Sequence, residues 1–408
     1  MQKNNIVLDT GFPGASAGCL ELEADLVRFA PDLRGCKTWW FYWGFRIMGA
    51  EGKKLRFVGV EQDGVTPLPD GGKPVTSANG PAFSLDQGRS WQWLGTAARN
   101  APAVFSQNGF EFNFAPEENE VWFSFGMAYT RRDWTAFLET LGESPRLKKT
   151  CLAERNGLRL EALRAGAFDC EPKRRIMATA RHHACEMMAN YAMEGMVAEL
   201  LNDAPAGSLR EETEFLFIPF VDVGGVENGE QGKNRLPHDH NRDYGPQPDE
   251  GADAGADDRA ETSLYWEVAA VRHTARMWGR QKLAAVFDLH CPWARGGRNE
   301  SVFQVLRADA AEQRNFGEAL RGIQGGDGLG YRGEDDIPYG VEWNKPEPDA
   351  GQTCTRYMSQ ALNVPLATVF EIPYSMSNGR AVTRESARAF GRDLIRALDA
   401  YTISMQSP

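Results

Sequence analysis

The sequence predicts an α/β chain whose mixed sheet is flanked by helices on both faces, preceded by an all-β antiparallel sandwich. Three observations lead there. At 408 residues the chain exceeds the usual size of one domain. Its first third is built of short alternating aromatic segments split by Gly, Asp and Pro. From about residue 150, near-continuous apolar strands alternate with helical patterns. We therefore divide it into residues 1–140, the sandwich, and 141–408, the α/β unit.

The sandwich rests on Trp39-Trp40-Phe41-Tyr42-Trp43, Leu55 to Val60, Gly109 to Phe114 and Glu120 to Phe125. Period-two aromatics between turn residues suit strands with one buried face. The aromatic run at Trp39–Trp43 reads as sandwich core rather than as a carbohydrate platform. Arg132 to Leu141 has helical spacing and closes this part. Leu158–Leu163, Arg175–Ala180, Phe215–Val221, Lys282–Phe287 and Leu366–Phe370 then read as strands, and apolar runs of that kind belong to a sheet covered on both faces. Met187–Leu201 and Trp266–Met277 read as helices. The last helix has Thr383 as N-cap, with Ala387, Phe390, Leu394, Leu398 and Tyr401 recurring at helical spacing. Two polar stretches, about 222–261 and 322–351, are long enough to be functional rims.

Composition excludes some partners. The net charge is −11, against nucleic acid and anionic membranes, which need a basic face. No apolar run follows the polar N-terminus, so no leader or span is expected. Seven cysteines without paired short spacing suit reduced thiols and a cytoplasmic location.

Three separated strings carry candidate chemistry: Arg181-His182-His183-Ala184-Cys185-Glu186, Asp239-His240-Asn241-Arg242 and Asp288-Leu289-His290. His183 and Glu186, three residues apart, share one side of a tight or helical turn. With His290 they make a two-imidazole, one-carboxylate donor set, which leaves a tetrahedral zinc one open position. His183 and Glu186 follow one strand, His290 ends another, and Glu371 ends the strand Leu366–Phe370. Ligands in open α/β sheets bind beyond such carboxyl ends. This pattern points to amide hydrolysis.

These strings resemble the zinc metallocarboxypeptidases, specifically the cytosolic carboxypeptidase-like branch with an N-terminal β-sandwich. Ala180 to Glu186 is similar to its Ala-Arg-x-His-Pro-Gly-Glu, with Ala184-Cys185 replacing Pro-Gly. Asp239 to Arg242 is similar to Asp-x-Asn-Arg, Asp288-Leu289-His290 to Asp-Leu-His, and Val369-Phe370-Glu371 to Thr-x-Glu. Trp40 to Trp43 and Ala128-Tyr129-Thr130 resemble landmarks of its N-terminal domain. The resemblance implies one zinc ion per chain held by His183, Glu186 and His290. It implies Glu371 as general base, Arg242 and Asn241 as anchors of a substrate carboxylate, and Asp239 as the group orienting His183. For the cation that polarises the scissile carbonyl, Arg235 is the nearest candidate and Lys233 the alternative; Tyr339 is the candidate mobile tyrosine. The implied substrate is a peptide, isopeptide or small amide with a free carboxylate. Two alternatives stay open: an amidohydrolase or deacylase on the same scaffold, and a binding protein without catalysis.

Neighbouring residues have plainer readings. His182 is a packing or supporting residue, His238 and His240 line or flank the pocket, and His273 is structural. Cys185 and Cys291 adjoin ligands without being ligands. The acidic stretch 249–258 is solvated loop.

Overall fold

The computed structural model describes residues 6–98, 102–166, 168–202, 207–245, 263–345 and 351–404. The chain's first residues and the acidic stretch 249–258 lie outside them.

Residues 7–124 form two five-stranded sheets. One has the order Val7–Asp9, Gly44–Met48, Glu120–Ser124, Ala82–Ser84, Gln92–Trp93, antiparallel throughout. The other runs Cys19–Glu23, Leu26–Ala30, Lys54–Gly59, Gly109–Asn113, Phe105–Ser106. It is antiparallel except where Leu26–Ala30 lies parallel to Lys54–Gly59. The inward aromatics of the two sheets meet. Phe123 lies 5.1 Å from Phe57 and 4.9 Å from Phe112, ring centre to ring centre. Rings at these separations add to the burial of large apolar area. A helix, Arg131–Thr140, follows.

The second part is a seven-stranded mixed sheet. Its order is Leu147–Arg155, Leu158–Gly166, Thr213–Ile218, Arg174–Ala180, Leu283–His290, Leu366–Glu371, Phe303–Val305. The four strands from Thr213–Ile218 to Leu366–Glu371 run parallel, and the outer pairings are antiparallel. Successive side chains of a strand point to opposite faces, and both faces are apolar. Ile176, Ala178 and Phe287 join the core beneath the helices Met188–Leu201 and Arg384–Ser404. Met177, Val286 and Ala367 join a second core beneath Trp266–Gly279 and Cys354–Ala361. The helices Met188–Leu201 and Arg384–Ser404 touch backbone to backbone. A Cβ on Gly195 would lie 1.9 Å from the Arg388 carbonyl, and one on Gly391 1.8 Å from the Ala192 carbonyl. At Thr383 the predicted cap is made: its Oγ1 accepts the Ser386 N–H at 3.0 Å.

The predicted strands of the α/β part and the predicted helices form, but Trp39–Trp43 is irregular chain leading into the strand Gly44–Met48, with Trp39 and Trp40 only partly buried. The half-exposed edge strand Leu147–Arg155, the short strand Phe303–Val305 and the helix Ala311–Ile323 are additions to that reading. No helix among the described residues is long and apolar enough to cross a membrane.

Candidate metal centre

The centre is assembled at the carboxyl ends of the middle strands. Ala180 pairs with Leu289, and His290 with Glu371, so three strand ends finish level. Arg181 then turns the chain with φ at +62°. Its buried guanidinium stiffens that turn by donating to the Ala184 carbonyl at 2.9 Å, the Tyr129 carbonyl at 2.9 Å and Asn190 Oδ1 at 2.8 Å. The turn delivers His183 and Glu186 immediately before the helix that starts at Met188.

The donors converge. His183 Nδ1 lies 2.8 Å from Glu186 Oε1, and His290 Nδ1 lies 2.7 Å from Glu186 Oε2. The two Nδ1 atoms are 3.1 Å apart. The far nitrogen of each ring faces an aspartate: His290 Nε2 is 2.9 Å from Asp288 Oδ2, and His183 Nε2 is 3.5 Å from Asp239 Oδ1. A carboxylate behind a ligating imidazole fixes its tautomer, leaving the other nitrogen's lone pair for a metal. Two ring nitrogens converging on one carboxylate, with all three groups buried, fit a zinc-class cation by donor chemistry. Burial opposes the charge on Glu186, yet His183, His290 and Lys233 hold its carboxyl well below the usual range.

A second cluster, His182, Asp288 and Cys354, is equally buried. Here the valences are closed. His182 sits between Asp288 Oδ1 at 2.8 Å and the Tyr244 hydroxyl at 2.7 Å, and Thr179 donates to the same Asp288 oxygen at 2.8 Å. Burial pushes the His182 pKa down despite Asp288. These bonds suit the packing or supporting role read from the sequence.

A cavity of about 380 Å³ adjoins the centre. His183, His290, Glu371, Arg242 and Asn241 all line it. Glu371 is buried and its Oε2 has no hydrogen-bond partner among the described residues. Burial and the like charge of Glu186 raise its pKa above the usual value. Arg242 donates to the Asn241 carbonyl at 2.9 Å and has no carboxylate partner among the described residues. Tyr339 is half exposed on the rim.

One expectation changes. Arg235 is not brought to the cavity. Its guanidinium is held by Asp222 and, at 3.0 Å, by Glu230. The cation at the centre is Lys233, two residues earlier, 3.3 Å from His183 Nδ1 and 3.6 Å from Glu186 Oε1. Burial opposes its charge, but Glu186, Glu371 and Asp239 outweigh it and raise its pKa. Asn241, read as an anchor, lines the cavity and is also bonded to its interior neighbours. Its Nδ2 faces Asp288 Oδ2 at 3.3 Å, and its Oδ1 accepts the Cys354 N–H at 2.8 Å. It positions Asp288 and thus His290. Several charged cavity residues escaped the sequence reading, Arg307, Lys345 and Arg356 among them. Arg307 has Nη1 buried without a partner among the described residues, and its Nε lies 3.4 Å from the exposed Asp309.

No family model matches the chain. An uncharacterized protein of Zymomonas mobilis is 25% identical over 208 residues, a match spanning 50% of each chain. Solved structures align over the full length. A metallo-carboxypeptidase from Burkholderia cenocepacia superposes with a TM-score of 0.73 at 19% identity, covering 98% of this chain and 100% of its own. A metallo-carboxypeptidase from Pseudomonas aeruginosa, in complex with (2-guanidinoethylmercapto)succinic acid, gives 0.69 at 18%, covering 98% and 100%. The chain therefore has the metallo-carboxypeptidase fold, with its N-terminal sheets included.

Proposed function

We propose that the protein is a zinc-dependent carboxypeptidase with one ion per chain, releasing an acidic residue from a peptide's C-terminus. The observation that carries this reading is the cavity shared by His183 and His290, Glu371 with an unpartnered oxygen, and Arg242 without a carboxylate partner among the described residues. A zinc ion held by His183, Glu186 and His290 supplies Lewis acidity and lowers the pKa of water. Glu371, buried and raised in pKa, accepts the proton of the attacking water and returns it to the leaving amine. Arg242 receives the terminal carboxylate, because a guanidinium fork matches its two oxygens. Asp239 and Asp288 keep the ligand imidazoles in the tautomer with Nδ1 free. Lys233 offers a point charge to the scissile carbonyl.

The preference for an acidic end follows from the charge of the wall. Lys233, Arg242, Arg307, Lys345 and Arg356 line the cavity against Asp309 and Glu371, in a chain whose net charge is −11. A basic pocket within an acidic protein selects anionic substrates. We assign Arg307 to the side-chain carboxylate of the departing residue.

The test uses one acidic-ended peptide as free acid and as amide. The wild type should cut the free acid and nearly spare the amide, and Arg242→Ala should erase the difference. Losing one partner of such a charged pair costs about 2–5 kcal/mol. Equal cleavage of both peptides by the wild type would remove the carboxypeptidase reading. Turnover of N-acyl amino acids in its place would establish the deacylase alternative.

A further inference from the structure

We infer that Lys233 is a fixed counter-cation of the metal centre, held in place by the N-terminal segment that links the strands Leu26–Ala30 and Gly44–Met48, and that it weakens metal binding by charge repulsion. The inference rests on the zinc reading above. Lys233 Nζ lies 3.3 Å from His183 Nδ1 and 3.6 Å from Glu186 Oε1. Both atoms belong to the donor set. A cation bound by them is placed beside an ammonium group with no protein atom required between the two.

A lysine on a flexible stem could swing away and relieve the repulsion. Here the geometry opposes that. The ammonium lies 5.8 Å above the ring of Trp40, within cation–π range. The loop carrying Lys233 is bonded along its length to residues 32–42. Gln231 Nε2 donates to the Tyr42 carbonyl at 2.6 Å and the Asp32 carbonyl at 2.9 Å, and its Oε1 accepts the Tyr42 N–H at 2.9 Å. The Lys37 N–H donates to the Asn234 carbonyl and the Leu236 N–H to the Gly35 carbonyl, both at 2.8 Å. On its other side the loop presses on the ligand turn. Gly232, at φ +73°, has room for no side chain: a Cβ would lie 2.2 Å from the Ala184 nitrogen. The Cys185 N–H donates to the Gln231 carbonyl at 3.1 Å. The sandwich thus reaches the centre through one charge. Without metal, that charge offsets Glu186 and Asp239; with metal, it opposes loading.

The experiment is a zinc titration against a chelator of known affinity, on full-length wild type, Lys233→Met, Lys233→Gln and Lys233→Arg. Both neutral variants should bind zinc at least about tenfold more tightly, a conservative figure for removing a like charge a few ångströms away. Lys233→Arg should stay within about threefold of wild type. Thermal melting of the same proteins provides a readout independent of catalysis. Metal-free neutral variants should melt below wild type and gain more on zinc addition, because tighter binding to the native state raises stability further. Equal or weaker zinc affinity in a folded neutral variant overturns the inference while leaving the zinc reading intact. A wild type that binds no zinc overturns both.

Discussion

His182 and His183 are neighbours in the chain, both buried, and each faces an acid, yet they do opposite things. His182 has both ring nitrogens engaged, by Asp288 and Tyr244. His183 directs Nδ1 at a space shared with His290 and Glu186. The two clusters even share Asp288, one oxygen serving His182 and the other His290. Residue type does not separate the two here. Surroundings do: one ring is closed between two interior partners, and the other converges with His290 on Glu186 at the edge of the cavity, which is what the proposed metal role needs.

The comparison can be strained in several ways. Glu371→Gln should act on turnover alone, lowering it about 10²–10⁴-fold, the usual worth of a positioned acid–base group. Fold and zinc content should stay as in wild type. A Glu371→Gln enzyme at normal rate would remove the proton-transfer role. Asp288→Asn tests the residue shared by the clusters. Loss of a carboxylate behind a ligating imidazole typically weakens metal binding about 10–100-fold, so a chelator titration should detect it. Unchanged zinc affinity would show that Asp288 serves only the His182 side. His182→Phe should be the mildest for the metal. Its expected effect is a loss of about 1–3 kcal/mol of stability, because Asp288 and Tyr244 lose buried partners. Urea unfolding measures it, and a null result would mean the interior cluster is dispensable.

The residues proposed as ligands could be picked out in the sequence because they depend on local facts. The spacing of His183 and Glu186 is set by one turn, and His290 and Glu371 sit where apolar strands end. What the sequence hid depends on distant contacts. Lys233 and Arg235 are two residues apart in an irregular loop, and only the carboxylates Asp222 and Glu230 decide that Arg235 turns away. Asn241 matched an anchor motif, but its amide is bound to Asp288 and to the Cys354 backbone, both far from it in sequence. Arg307 becomes visible only once the short strand Phe303–Val305 is known to border the cavity. In the fold, Leu147–Arg155 was unreadable as a strand because, as an edge, it leaves polar residues exposed and loses the apolar alternation.

The most direct test is the zinc content of three dialysed proteins, wild type, His183→Ala and His182→Ala, measured by elemental analysis beside a melting curve for each. The account predicts one zinc per chain in wild type, none in His183→Ala, and one in a destabilised His182→Ala. Zinc retained without His183, or lost from a folded protein without His182, would contradict it.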